Sequence, residues 1–164
     1  MKISKSSTVS IVLPKDATQR EQFAGEELQK YIRLICGAQL QIVTDAQACE
    51  GQCIAIGGAE HNTCTKQWIS EEAFDKEVPG PEGIMIRSFE NGLVLAGSSK
   101  NSNELERGTV YAVYELLERF CGCSFGAFTK QDMPGGELVP HQETLCLENL
   151  SYVKAHSDVP YRSD

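Results

Sequence analysis

Apolar residues recur along this chain with two different periods, and the change from one to the other marks out the elements. In "TVSIVLP", Val9, Ile11 and Leu13 fall on one side and Thr8 and Ser10 on the other, the alternation of a half-buried strand. Pro14 ends it. Farther on, Ala24, Leu28, Tyr31, Ile32 and Ile35 recur at helical spacing, with Gly37 just beyond, where a left-handed C-terminal residue is wanted. Asp16 with Gln19, or Thr18 with Glu21, supplies a cap and its partner three residues on. The first helix is therefore predicted over roughly Thr18 to Cys36.

Strand spacing returns in "AQLQIVT", with Leu40 and Ile42 on the apolar side, and in "QCIAIGG", with Ile54 and Ile56. In "EGIMIRSFENGLVLAGS" two strand-like runs flank Asn91-Gly92, a pair suited to a type I′ hairpin turn. The stretch from His61 to Pro81 is polar and irregular, with a short helix expected near Ser70 to Phe74. In "RGTVYAVYELLERFCGCSF", Val110, Val113, Tyr114, Leu117 and Cys121 form one apolar stripe of a second long helix. Asn103 with Glu106 can cap that helix and Gly122 can end it, leaving Glu115, Glu118 and Arg119 on the wet side. Past Phe128 the chain is rich in Pro and Gly, with one strand candidate from Thr144 to Leu150.

These elements predict an α+β fold: a two-layer arrangement with a mixed, mostly antiparallel sheet packed on two long, roughly parallel helices. The hairpin requires an antiparallel pair. Both helices are expected on one sheet face, the other face being open or meeting another domain. A doubly wound parallel sheet is the alternative, since the first strand–helix–strand unit also fits a parallel crossover. Residues 1–128 are expected to form the domain, and 129–164 an extended arm leading away from it.

Composition narrows the partners. A chain of 164 residues can bury one ordinary core, and 41% hydrophobic with 23% charged residues is a globular mixture. With a net charge of −8 and no Lys/Arg stripe, nucleic acid and anionic membrane surfaces are disfavoured. No apolar run approaches the length of a membrane span. The opening "MKISKSSTVSIVLPKD" lacks the apolar core of a signal peptide and reads as a strand behind a short polar leader. Localisation stays open, because an exported parent could have lost its signal. Seven cysteines at irregular spacing do not outline a disulfide framework, and several sit among core-type residues as small hydrophobes.

Four residues offer the sharpest local chemistry. Cys49, Cys53, His61 and Cys64 would make a Cys3His zinc set, although Cys-x3-Cys and His-x2-Cys are looser than ordinary zinc spacings. Buried or exposed thiols are the plainer reading. Cys121-Gly122-Cys123 lies at a helix C-terminus, where the helix dipole opposes a thiolate, so packing is favoured over redox work. The glycine pair of "IGGAEHN" lacks a nucleotide fingerprint and reads as a strand-ending turn. No cofactor is expected. His141 and His156 fall in the outgoing arm and read as solvated. Trp68, in a polar loop beside Lys66 and Gln67, is a candidate sugar platform or a residue folded back onto an interface.

Several stretches taken together resemble a known group. "IVLPKDATQREQFAGEELQKYIRLICGAQLQIV" is similar to the opening of the N-terminal domain that precedes the catalytic barrel in bacterial α-glucuronidases and β-N-acetylhexosaminidases, of the glycoside hydrolase family 67 N-terminal type. "IAIGG", "GIMIRSFENGLVLAGSS" and "RGTVYAVYELLERFCGCSF" resemble the following strand, hairpin and helix of that group, so the likeness runs from about Ile11 to Phe128.

The resemblance implies an accessory α+β domain of a carbohydrate-active enzyme, structural support for a following (β/α)8 barrel whose carboxylates do the chemistry. Its partner would be that C-terminal barrel of the same parent chain, with glycan as a further candidate. "DVPYRSD" resembles the opening of the first barrel strand, and Arg162 matches an arginine that grips sugar hydroxyls there, a task suited to a forked guanidinium. The alternatives are a freestanding carbohydrate-binding module using Trp68, and a small zinc or thiol protein using Cys49, Cys53, His61 and Cys64. Under the first reading, Arg107 to Phe125 is scaffold and no catalytic residue lies in this chain.

Overall fold

The computed structural model describes residues 1–47, 51–78, 83–97, 108–125 and 137–154. At its centre is a six-stranded sheet. Strand β2 (Ser10–Leu13) pairs in parallel with β3 (Gln41–Thr44) and with β4 (Cys53–Ile56), and β4 pairs in parallel with β6 (Gly92–Gly97). Strand β5 (Ile84–Phe89) is antiparallel to β6 and to β10 (Ser151–Lys154), giving the order β10-β5-β6-β4-β2-β3. The sheet is mixed, as expected, but parallel pairing predominates over antiparallel. The predicted antiparallel majority is corrected: the β2–helix–β3 unit is the parallel crossover held as the alternative.

Helix α1 (Gln19–Cys36) forms where the pattern places it. Thr18 is its N-cap, with a complete capping box to Glu21, and Gly37 closes it at φ 75°. Helix α4 (Gly108–Arg119) is the second long helix, and its expected cap residues Asn103 and Glu106 lie outside the described residues. Both pack on one face, against Ile11, Leu13, Ile54, Ile56, Ile84, Ile86, Leu93 and Leu95.

The opposite face is covered as well. Helices α2 (Thr63–Trp68) and α3 (Glu71–Glu77) lie over it, so four helices are described where two long ones were expected, and the arrangement has three layers. Ile69, Phe74 and Val78 pack on Met85, Val94 and Ala96, while Cys64 packs on Val12, Cys53 and Ala55. Small side chains on that face suggested a surface left to solvent or to another domain. They instead let two short helices approach the sheet closely.

Strand pairing also continues past residue 128. Beyond β7 (Ser124–Phe125), β8 (Glu137–Leu138) pairs with it. The expected polar leader forms β1 (Lys2–Ser4), with Ile3 fully buried, and β9 (Thr144–Cys146) pairs with it. Strand β10 covers the edge of β5, a row of otherwise unpaired backbone groups.

Two local expectations change. The hairpin between β5 and β6 exists, but Phe89 faces Gly92, so Glu90 and Asn91 form the turn and neither has positive φ. A type I′ turn needs positive φ at both central residues, so this turn is not of that type. Glu115, expected in water, is 2% exposed, because α4 is enclosed by the sheet on one side and α1 on the other. Arg119 pairs with its carboxylate one turn away, and this pairing raises the arginine's pKa.

Candidate functional site

The carboxyl ends of β2 and β4 lie side by side, and the chain leaves them toward opposite faces, into α1 from β2 and into α2 from β4. In parallel sheets such a divergence is where a crevice opens for ligands. Here it is filled by polar staples. Asn62 is fully buried, and its Nδ2 donates to the carbonyls of Val12 (3.0 Å) and Ile56 (2.9 Å), joining the two strands. Its Oδ1 accepts from Cys64 N at 2.9 Å and so caps α2. Thr65 Oγ1 donates to the Gly57 carbonyl at 2.8 Å. Asp45, at the end of β3, accepts from Lys15 N (2.7 Å) and Thr63 N (2.9 Å), holding three connections together.

Glu21 faces the same place from α1. Its Oε1 accepts from Thr18 N at 3.1 Å and lies 2.9 Å from His61 Nδ1. Its Oε2 is buried without a hydrogen-bond partner and packs against Gly57, where a Cβ would come within 2.8 Å of it. Gly57 has φ 114°, so both its backbone and its neighbour require glycine there. The carboxylate therefore serves the helix cap and His61.

The zinc candidates separate. His61 turns to Glu21. Cys53 and Cys64 pack together under α2, in one small cluster with Val12 and Ala55. The neighbouring Cys53 thiol, a donor toward a Cys64 thiolate, holds the Cys64 thiol down to about 7, against burial and the Asp45 charge, which push it up. Cys49 lies outside the described residues. Among the described residues no three His, Cys, Asp or Glu side chains converge as a metal-binding group.

Trp68 is half-buried at the far end of α2 and stacks on Phe89, with ring centroids 5.6 Å apart. Its edge closes on Gly92, where a Cβ would lie 2.3 Å from the indole. Arg162 and His156 lie outside the described residues, and His141 is exposed. Cys121 and Cys123 are buried in the main core, and burial pushes the Cys121 thiol up to about 12. Clefts of about 690 Å³, beside the C-terminal end of α1, and about 440 Å³, beside Phe89, contain none of the zinc candidates and not Trp68. No helix of the described residues is long and apolar enough to cross a membrane.

The residues that organise this region, Asn62, Asp45 and Glu21, were not picked out as a site from sequence. Glu21 was visible only as a cap partner. Asn62, two residues before Cys64 in a polar run, carried the one available signal, that of an N-cap.

The architecture defines a class: a mixed α/β domain with its long helices on one sheet face and short ones on the other. No family model matches the chain, and no curated protein sequence matches it. Among solved structures, the chain is similar to one described as a novel family GH115 4-O-methyl-α-glucuronidase with specificity for decorated arabinogalactans. The superposition has a TM-score of 0.63 at 16% identity and covers 93% of this chain. It covers 18% of the glucuronidase chain, so the likeness concerns one portion of a much longer protein.

Proposed function

We propose that this chain is a non-catalytic N-terminal accessory domain of a larger carbohydrate-active glycoside hydrolase, α-glucuronidase-like or hexosaminidase-like, that supports a following (β/α)8 barrel. The observation carrying this reading is the fold likeness over 93% of the chain to part of a glucuronidase. Local chemistry is consistent with it. Where the sheet could open a crevice, Asn62, Asp45 and Glu21 are engaged in holding backbone and caps. Glycoside hydrolysis by the common route needs two carboxyl groups flanking an open sugar site. In this reading those groups belong to the barrel, and Arg162 takes up its sugar hydroxyls only in the full-length enzyme.

The test is an assay of the purified chain on aryl glycosides, including an aryl α-glucuronide and an aryl N-acetyl-β-hexosaminide. Rates at the uncatalysed background are expected, and turnover would overturn the reading. Titration with oligosaccharides separates the alternative. Saturable quenching of Trp68 fluorescence would identify a freestanding carbohydrate-binding module, whereas an unchanged spectrum is expected of a buttress.

A further inference from the structure

Six cysteines among the described residues are thiols outside any disulfide, and they fall into different settings. Cys36, Cys121 and Cys123 are buried in the core between α1, α4 and the sheet. Cys146 is exposed on β9. Cys53 and Cys64 form a pair of their own: one on the central strand β4, the other on α2, packed in one small cluster with Val12 and Ala55. They come from different elements, ten residues intervening, on the face opposite the long helices.

We propose that Cys53 and Cys64 are a peroxide-oxidisable dithiol, and that their disulfide clips α2 to β4. Cys64 is 7% exposed and Cys53 2%, so the oxidant must be small, and hydrogen peroxide meets that requirement. α2 has only six residues, and local opening of so short a helix admits such a molecule. The Cys64 thiolate attacks one peroxide oxygen, the O–O bond breaks, and the departing hydroxide takes up a proton as water. Cys64 is left as a sulfenic acid. The Cys53 sulfur then attacks the Cys64 sulfur, the S–O bond breaks, and hydroxide leaves with the Cys53 proton as a second water. Two thiols lose two electrons and two protons together, and one peroxide becomes two waters.

The bridge would tie the second layer to the middle of the sheet by a covalent bond where short helices now hold it by small contacts. Closing a loop of this length constrains the unfolded chain. The main core thiols supply an internal contrast: burial pushes the Cys121 thiol up to about 12, so at neutral pH it offers little of the thiolate that the reaction needs.

The experiment treats the 164-residue chain with hydrogen peroxide at neutral pH, then blocks remaining thiols and maps peptides by mass spectrometry. One intramolecular Cys53–Cys64 link, reversed by dithiothreitol, is expected to appear before any change at Cys36, Cys121 or Cys123. The linked protein should melt roughly 5–10 °C higher than the reduced form. In Cys53→Ser, where no resolving thiol remains, Cys64 should be trapped as a dimedone adduct. The wild-type mapping does not depend on that variant folding. The proposal is overturned if Cys64 proceeds to sulfinic acid while Cys53 stays free, if Cys64 links to another cysteine, or if both thiols survive an excess that oxidises the others.

Discussion

Gly92 and Trp68 show how a single missing side chain sets the second face of the sheet. In the sequence Gly92 looks like half of a tight-turn signal, yet it opens β6 outside the turn, and its backbone lacks the positive φ that would demand glycine. The need comes from across the sheet: a Cβ there would approach Trp68 at 2.3 Å and the Cys53 carbonyl at 2.7 Å. The indole can shift, but the strand carbonyl cannot without breaking the ladder. Gly92→Ala is thus expected to cost about 2 kcal/mol, seen as a lower urea midpoint together with a red-shifted Trp68 emission. A midpoint within error of wild type would show that the strand absorbs the methyl group. The thiols give a second check at this scale. Cys64 titrates near 7 and Cys121 near 12, so the thiolate needed for alkylation accumulates at Cys64 as pH rises through 7. Through local opening of α2, iodoacetamide modification at Cys64 should rise between pH 6 and 8, roughly one unit either side of that value, while Cys121 stays unmodified. Equal labelling of the two would contradict the contrast.

Elements with strong periodicity and a chemical stop at each end were legible from residues alone. Helix α1 is the clearest: five apolar positions, the Thr18–Glu21 box and Gly37 all agree, and the structure forms each of them. Thr18→Ala removes the side-chain acceptor for Glu21 N and should lower stability by about 1 kcal/mol, with a matching drop in thermal midpoint. No change would mean water caps the helix equally well. Helix α2 escaped because six polar-looking residues carry no usable period; only Asn62 marked its start. Glu115 was misplaced because a stripe seen along one helix does not reveal that a second helix covers its flank. Strand direction was beyond reach for a similar reason. Alternation shows which face is buried, whereas parallel pairing depends on where α1 returns the chain. The candidate site was least legible, since Asn62 and Asp45 work through backbone groups far apart in sequence and Glu21 meets His61 forty residues on.

At the scale of the molecule, the two faces of the sheet are built from different materials, and this bears on how the domain opens. One face buries Ile and Leu from four strands beneath helices of 18 and 12 residues. The other buries Ala55, Ala96 and Cys53 along with Val12, Met85 and Val94 beneath helices of six and seven residues. Helices that short do not persist in water by themselves, so α2 and α3 depend on their contacts with the sheet. Large side chains contribute about 1.5–3 kcal/mol each on burial, and alanine much less; with fewer of them, half its strand positions small, and shorter helices, the second layer is the more weakly attached. It should open without unfolding the rest. Hydrogen exchange of the reduced chain is the measurement. Amides of α2 and α3 are expected to exchange faster, by at least tenfold or about 1.4 kcal/mol in opening free energy, than those of Ile54–Ile56 and Leu93–Leu95. Phe74, fully buried against Gly58 and the sheet, opposes this by anchoring α3. If that ring, with Ile69, Val78, Met85 and Val94 around it, outweighs the shortness of the helices, both layers will exchange together through global unfolding. Uniform protection across α2, α3, β4 and β6 would then replace the hierarchy argued here with a single cooperative body.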